Sequence, residues 1–430
     1  MANSKNGGVM GWLQGCKSLL NINVILIIAL NVLNSYGNNV NNTIKALAGV
    51  QVIGLAPSVI GTAASVFTIV AFLFRSSYSN TIDKLRDKLK VILLCSFFLR
   101  ALVFLSLNLV KNEPMFYVFY AVDGFLSGFN GTTIPALIAM AVDRKAMGSG
   151  LAVMNCITQF AIASSRANAA IWFRTFGVLR PSMIAAGCMI VAGVVACFLK
   201  VNAVEGRIQR DEKAPAGTVK KGGLLSGISW KLAPFAIVSS VAVVFMGADK
   251  TFFQVYAEGL SGMAPNYTFY QTFGGQIGSF VSLATGILCD IINPAILVYV
   301  ALAGHCAGML LYGLGATSAS LFYAGIMIYY ITKNMNDVFR ILSLKVLGKK
   351  GAGAASATIF FFNDVFTFVS STILGFIAKG AGYQVMWFCC AGLSAFNIVF
   401  FTYIYGHGFK QLTSEMADED APVPAAAPKQ

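Results

Sequence analysis

Apolar stretches of about 20 residues recur along nearly the whole chain, separated by short polar connections. Each stretch is long enough to cross the hydrocarbon core of a bilayer as a helix. The short alternating segments typical of barrel strands are not visible. We therefore predict an all-α integral membrane protein with twelve spans, near residues 19–40, 53–74, 90–110, 115–141, 148–172, 181–200, 231–257, 266–286, 294–314, 320–343, 352–377 and 383–405.

Composition and charge support this interpretation. Of 430 residues, 57% are hydrophobic and 11% charged, against about 25% charged in soluble domains. The net charge of +14 could suggest a nucleic-acid partner, but most of the 31 Lys and Arg fall on one side of the predicted spans. The positive-inside rule places that side, with both termini, in the cytoplasm, so membrane lipid is the expected surface partner and nucleic acid is not. The predicted outer loops hold five basic residues: Lys45, Lys111, Arg174, Arg180 and Lys379.

A polar stretch at the middle of the chain divides it into halves. Residues 201–229 are rich in Lys, Arg, Gly and Ala, and we interpret them as a cytoplasmic linker. Residues 1–200 and 230–408 are then two pseudo-symmetric six-helix bundles. Residues 409–430, acidic and then rich in Ala and Pro, are predicted to be a disordered cytoplasmic tail.

Short loop sequences recur at an offset of about 205 residues, close to half the chain. The segment "DRKAMGSG" at 143–150 corresponds to "GKKGAGAA" at 348–355. Likewise, "SNTIDKLRDKLK" at 79–90 corresponds to "GILCD" at 286–290. Self-similarity on this scale indicates that the two bundles arose by duplication.

These loops resemble those of the major facilitator superfamily. Residues 286–290 match the first half of that family's Gly-x-Leu-x-Asp signature, although the basic half is replaced. The N-terminal copy departs from it, with Ser79 in place of glycine and Asp83 leading into a basic run. The sequence "RKAMG", beginning at Arg144, matches the family's Arg-x-Ala-x-Gly. The resemblance covers roughly residues 15–408.

The resemblance implies alternating access, with spans one, four, seven and ten lining a central cavity. It also implies a gate at the cytoplasmic ends of the halves. A carboxylate near a helix N-terminus, beside basic residues of a neighbouring helix, can latch two helices in one conformation. We therefore expect gating roles for Asp83, Arg144 and Asp290.

Span ten contains the sequence "YYITKNMNDVFRI" (329–341), which places Lys333, Asp337 and Arg340 inside an otherwise apolar run. A charge near the bilayer centre costs about 2.5–3.5 kcal/mol on insertion scales. Spacings of four and three put these residues on one helical face, which must point into the bundle or a water-filled cavity. We predict a local Lys333–Asp337 pair that acts as a switch, and we expect Arg340 to reach the headgroups.

Polar residues also occur in the other spans. Asn31, Asn34 and Asn38 form an amide stripe on span one that could bind substrate or merely join helices. His305, among small residues of span nine, is interpreted as a packing histidine. The residues predicted to bind substrate are Lys333, Arg166, Asn31, Asn34, Asn38, Asn130, Asn334 and Lys250. The residues predicted to couple protons or form charge pairs are Asp337, Asp123, Asp364, Asp249 and Arg100.

The predicted spans contain nearly equal numbers of basic and acidic side chains, which suggests ion pairs that can exchange partners. A cation released from its carboxylate could bind an anion, and a buried carboxylate could carry a proton; Asp123 and Asp364 are the expected carriers. The function predicted is therefore secondary transport of a small organic anion, coupled to a proton or to a counter-substrate. A neutral polar solute remains an alternative, as does export of lipophilic compounds. Drug antiporters of the family carry a Gly- and Pro-rich motif on span five, whereas here the segment "FAIASSRANAAIWF" (160–173) contains neither residue, which disfavours export.

An enzyme is not expected. The sequence contains no HExxH, GxSxG or P-loop, so we predict no catalytic residue, metal or cofactor. Nine scattered cysteines are interpreted as small buried hydrophobes. The expected protein is a monomer in the cell's inner (plasma) membrane, with a small-molecule substrate.

Overall fold

The structure, a computed structural model, describes residues 21–84, 89–141, 147–199 and 230–406. Within these ranges the chain is helical and contains no strand, so the predicted all-helical membrane fold is confirmed. The helices of the N-terminal half are α1 (Ile22–Gln51), α2 (Pro57–Lys84), α3 (Leu89–Ser106), α4 (Glu113–Ala141), α5 (Met147–Phe176) and α6 (Leu179–Cys197).

The C-terminal half contains two helices with irregular turns at their charged residues. Span seven consists of α7 (Ala233–Ala248), a π-helical turn (Asp249–Phe253) and α8 (Gln254–Gly259). Span ten begins with α11 (Ala319–Thr332) and continues through a 3₁₀ turn (Lys333–Asn336). The remaining helices are α9 (Tyr267–Ile291), α10 (Pro294–Leu314) and α12 (Asp337–Ile404).

The helical stretch α12 includes the end of span ten and the whole of spans eleven and twelve. A straight helix of its 68 residues would measure about 100 Å, three times the thickness of the hydrocarbon core. Gly382 has a φ of 87°, which a continuous right-handed helix does not accommodate. It lies between spans eleven and twelve and allows the chain to turn back there.

Helix α1 extends to Gln51, well beyond the predicted end of span one at residue 40. The prediction that Lys45 lies in an outer loop is therefore wrong. Lys45 is a buried residue of α1. The apolar pattern fades after residue 40 because the polar side chains of this part of the helix face other helices rather than lipid.

Six helical stretches in the described part of the chain are long and apolar enough to cross a membrane on length and composition alone. They lie at Pro57–Phe74, Val91–Leu109, Leu179–Cys197, Ala233–Gly259, Ala295–Leu314 and Thr358–Ile404. Helix α1 is not among them, and its sequence contains seven asparagines. Amides of this kind are tolerated in a membrane where they find partners inside the protein.

The two halves meet along two pairs of helices, α2 with α12 and α5 with α9. Where α2 meets α12, Gly61 lies against Gly375, so the backbones approach closely. Ser65 donates a hydrogen bond to the carbonyl of Phe368 and shares another with Thr372 at 2.8 Å. The cavity described below is lined by α1, α2, α3 and α4 of the N-terminal half and by spans seven and eleven of the C-terminal half. Span ten, which was expected on the cavity wall, contributes no described residue to this lining.

Candidate functional site

A buried ion cluster joins three helices of the N-terminal half around Asp123, which is 1% exposed. Lys45 Nζ of α1 lies 3.0 Å from Asp123 Oδ2, and Arg100 Nη2 of α3 lies 3.2 Å from Asp123 Oδ1. The Lys45 ammonium also lies over the rings of Phe67 and Tyr120, at 4.5 and 4.4 Å from their centroids. The cluster contains two cations and one anion.

The amide stripe of α1 runs into this cluster. Asn41 Nδ2 donates to Asp123 Oδ2 at 3.2 Å, and Arg100 Nη1 donates to Asn34 Oδ1 at 3.2 Å. Asn38 in turn donates to Asn34 at 3.2 Å. Within the predicted stripe, Asn31 stands apart and donates to Thr158 of α5. The stripe therefore orders the buried charges and also holds helices together.

A second buried cluster crosses from one half of the protein to the other. Asp249, in the π-helical turn, accepts a hydrogen bond from Arg166 Nη1 of α5. Lys333 Nζ, in the 3₁₀ turn, lies 3.5 Å from the same carboxylate, and Tyr330 donates to it at 3.0 Å. Arg166 Nε also donates to Asn39 of α1 at 3.1 Å. Here again two cations share one anion.

A chain of hydrogen bonds leads from this cluster to a second ion pair between the halves. Gln271 donates to Tyr330 at 2.6 Å, and Gln254 donates to Gln271 at 2.9 Å. At the end of the chain, Tyr267 and Arg174 both bind Glu258; Arg174 Nε lies 2.7 Å from its carboxylate. This second ion pair lies at the end of the bundle predicted to face outward.

The main cavity lies between the halves, next to both clusters, and has a volume of about 460 Å³. The N-terminal half contributes amides, hydroxyls, Lys45 and Arg100 to its wall, and the C-terminal half contributes Lys250, Thr251 and Asp364. Lys250 is exposed to this cavity. In the part of the chain that the structure describes, Lys250 has no ion-pair or hydrogen-bond partner.

The predicted substrate-binding residues do not all lie on this cavity. Asn38 and Lys250 line it, as do Arg100 and Asp364 from the predicted coupling set. Arg166 and Lys333 are each 6% exposed and bind Asp249 instead. Asn31 and Asn34 make the contacts given above and do not line it either, and Asn130 and Asn334 are buried away from it. Asn130 accepts a hydrogen bond from Ser96 at 2.7 Å, and Asn334 lies in the 3₁₀ turn.

The predicted gate cannot be placed in the same way. Arg144 lies outside the described residues, and so do the side chains of Asp83, Asp290, Asp337 and Arg340. Among the described residues, no group of three His, Cys, Asp or Glu side chains could hold a metal ion.

Sequence reasoning missed Lys45, Asn39, Asn41 and Tyr330 as parts of the polar interior. For two of them, Asn41 and Lys45, a signal was present. Asn34, Asn38, Asn41 and Lys45 continue the spacing of three and four that defines a helical face, so the stripe could have been followed into the assumed loop. Nothing in the sequence points to Tyr330, because tyrosines are common in these spans.

Two helical halves, a cavity between them and buried ion clusters beside it are the features expected of a membrane transporter built from two bundles. The family model of the Major Facilitator Superfamily matches residues 25–369. The chain therefore belongs to that superfamily, and the resemblance seen in its loops is confirmed.

Solved structures show the same fold at low sequence identity. The nucleoside transporter NupG is 12% identical, with a TM-score of 0.69, covering 90% of this chain and 99% of its own. A point mutant of NupG is 11% identical, with a TM-score of 0.68, covering 89% and 100%. None of the curated proteins is significantly similar to this chain in sequence.

Proposed function

We propose that the protein transports a small organic anion by alternating access. The observation that carries this proposal is Lys250, a cation on the cavity wall that forms no ion pair and no hydrogen bond with any described residue. An ammonium held inside a membrane protein is stabilised by a counter-charge. A carboxylate or phosphate of a substrate would supply that charge when it enters the cavity.

The charge of the surrounding helices supports the same substrate class. Among the described residues of the interior, five basic side chains face three carboxylates. The carboxylates are Asp123, Asp249 and Asp364, and the basic side chains are Lys45, Arg100, Arg166, Lys250 and Lys333. Each ion cluster holds two cations and one anion, so neither neutralises itself. A positive interior attracts anions and repels cations.

The size and lining of the cavity support a small, polar molecule. About 460 Å³ lies in the range of about 300–1,000 Å³ that is usual for small-molecule sites. Ser35, Asn38, Asn39, Asn42 and Thr68 offer hydrogen bonds from one wall. A lipophilic compound would leave these groups without partners, so the lining disfavours export of such compounds.

A neutral polar solute is the second candidate, and the amide-rich wall supports it. The fold likeness to NupG, a nucleoside transporter, agrees with a solute of this kind. Such a solute would bind the amides and hydroxyls and make little use of Lys250. The charge of the best ligand therefore separates the two candidates.

Two ion pairs between the halves, Arg166–Asp249 and Arg174–Glu258, are proposed to close the cavity toward the outside. Opening in that direction would break both. Asp83, Arg144 and Asp290 remain the proposed gate at the cytoplasmic ends. The other predictions also stay proposals: the domain boundaries, a monomer in the inner membrane with cytoplasmic termini, and coupling to a proton or a counter-substrate.

The test is ligand binding to purified protein, read as a rise in thermal stability. Organic anions, neutral nucleosides and sugars, and lipophilic cations are compared, because a ligand that binds only the native state stabilises it. We expect stabilisation by an anion and about 10- to 100-fold weaker binding in Lys250→Gln, the usual size of a lost charge-assisted hydrogen bond. Lys111→Gln, which removes the same charge from an exposed position, is the matched control. A neutral best ligand, or unchanged affinity in Lys250→Gln, would overturn the anion proposal.

A further inference from the structure

His305 lies on α10, in the middle of a cluster of polar aromatic side chains. It is 0% exposed. Its ring lies 5.8 Å from that of Tyr329 and 6.0 Å from that of Phe245. Tyr312 lies 5.7 Å from Tyr329 and 5.1 Å from Trp387, measured between ring centroids. This aromatic cluster adjoins the second ion cluster, because Lys333 Nζ lies 5.7 Å from the Tyr329 centroid.

The polar atoms of the aromatic cluster have no partners among the described residues. They comprise both ring nitrogens of His305, the hydroxyls of Tyr312 and Tyr329, and the indole nitrogen of Trp387. Buried polar atoms are nearly always paired, and each exception in a native structure calls for an explanation. A packing histidine would donate from one nitrogen and accept at the other. Toward the part of the chain that the structure describes, His305 does neither, so packing against its aromatic neighbours leaves both of its nitrogens without a partner there.

His305 has an equivalent position in the N-terminal half, at the offset that separates the two repeats. His305 follows Arg100 by 205 residues, and Asp249 follows Lys45 by 204, which are both close to the offset of the loop repeats. In the N-terminal half, Arg100 is a permanent cation bound to Asp123. In the C-terminal half, the corresponding helix carries an imidazole, a side chain that can be either neutral or positively charged.

We propose that His305 is a proton-binding site whose occupancy is linked to the contact between Arg166 and Asp249. The proposal rests on the proposed transport cycle and not on the anionic substrate. It assigns the coupling proton to a residue other than Asp123, which Lys45, Arg100 and Asn41 already hold.

The link is electrostatic. When Arg166 is docked, Asp249 shares its single charge with two cations, and a proton on His305 would add a third positive charge. When the halves separate at this point, Arg166 leaves with the N-terminal half, and Lys333 and Asp249 remain as a neutral pair. Protonation of His305 is then easier. By reciprocity, a proton on His305 favours release of Arg166 and opening toward the predicted outer face.

The other groups around His305 do not change the direction of this linkage between protonation of His305 and release of Arg166. Helix α10 packs against α7, α9, α11, α12 and the 3₁₀ turn. The one charged residue of α9 is Asp290, near its C-terminal end. The titratable side chains close to the aromatic cluster are two tyrosines of α11, Cys390 of α12, Tyr256 of α8, Tyr312 of α10 itself, and the charged groups of the second ion cluster. The α11 tyrosines are Tyr329 and Tyr330, and the charged groups are Asp249, Lys333 and Arg166.

The chain contains two histidines, so the proposal can be tested directly. The variant His407→Gln leaves His305 as the single imidazole, and its protonation is followed by ¹⁵N NMR of histidine-labelled protein between pH 5 and pH 9. Arg166→Gln is then added, with Lys111→Gln as the matched control.

We expect His305 to bind a proton about tenfold more tightly in Arg166→Gln, because the variant removes one buried positive charge from the adjoining ion cluster. Lys111→Gln should leave the titration unchanged. A titration unaffected by Arg166→Gln would overturn the proposal, as would an imidazole that keeps one protonation state throughout.

A transport assay completes the test. In proteoliposomes, we expect His305→Gln to keep exchange of substrate across the membrane but to lose accumulation driven by a pH gradient. Accumulation equal to that of the unchanged protein would contradict the proposal. If the NMR result holds while the transported solute is neutral, only the anion proposal fails.

Discussion

Replacing Asp123 by Asn should destabilise the protein more than any single change at its ion pairs near the surface. The carboxylate binds Lys45 at 3.0 Å and Arg100 at 3.2 Å, and all three side chains are buried. Asparagine has nearly the same shape and keeps one acceptor. The change therefore removes the charge and leaves two buried cations without an anion.

The distances give the size of the effect. Each attraction amounts to about 5 kcal/mol at an effective dielectric constant of about 20. Repulsion between Lys45 and Arg100 and the desolvation of all three groups reduce the net value. Breaking a buried pair by removing one partner typically costs about 3–5 kcal/mol, and we expect Asp123→Asn to fall in that range. Reversible unfolding in mixed detergent micelles measures it.

A double-mutant cycle identifies the cause. Lys45→Met removes one of the cations that Asp123→Asn leaves unpaired. The loss of unfolding free energy in the double variant should therefore be smaller than the sum of the two single losses by at least about 1 kcal/mol. Additivity within about 0.5 kcal/mol would refute the reasoning, because it would mean that the two side chains do not interact.

Three further changes test other parts of the structure. Arg174→Gln should lower the free energy of unfolding by no more than about 1 kcal/mol, because the Arg174 side chain is 35% exposed. It should, however, raise the labelling of cysteines placed in the cavity by a reagent added from the predicted outer face. Unchanged labelling would contradict the closing role. Gly177→Ala should lower the free energy of unfolding by about 1–2 kcal/mol in the same assay, because φ is 70° there and a side chain disfavours that conformation. Gly187→Ala, where a side chain on α6 would enter open space, should leave the free energy of unfolding unchanged. Tyr330→Phe removes a donor to Asp249 and should slow transport severalfold, while Tyr323→Phe, at the exposed Asn266 contact, should not.

The fold could be predicted from the sequence because bilayer thickness fixes the length of an apolar helix. Each of the first nine predicted spans corresponds to one helical region, with ends displaced by at most about a dozen residues. The largest displacement is at α1, whose second half is too polar to resemble a membrane span. Its partners lie on other helices, and hydropathy along the chain does not register them.

The partners of the buried charges could not be predicted in the same way. Spacing along span ten suggested Asp337 as the partner of Lys333, because neighbours on one helix can be derived from periodicity. In the structure Lys333 binds Asp249, 84 residues earlier, across two irregular turns, while the side chain of Asp337 lies outside the described residues, so its predicted pairing stays a prediction. Arg166 likewise reaches Asp249 from the other half. Which polar residues meet depends on how the helices pack, and a single sequence does not contain that information.

The π-helical turn at Asp249–Phe253 has a consequence for how the outer closure opens. A π turn accommodates one residue more than an α turn, and such turns occur mostly at functional sites. If this turn became α-helical, everything after it would rotate by about 100° and shift by about 1.5 Å along the axis. Glu258 would then swing away from Arg174, while Asp249, at the start of the turn, would keep Arg166. The two ion pairs could therefore open one after the other, by a change of helical register confined to a few residues.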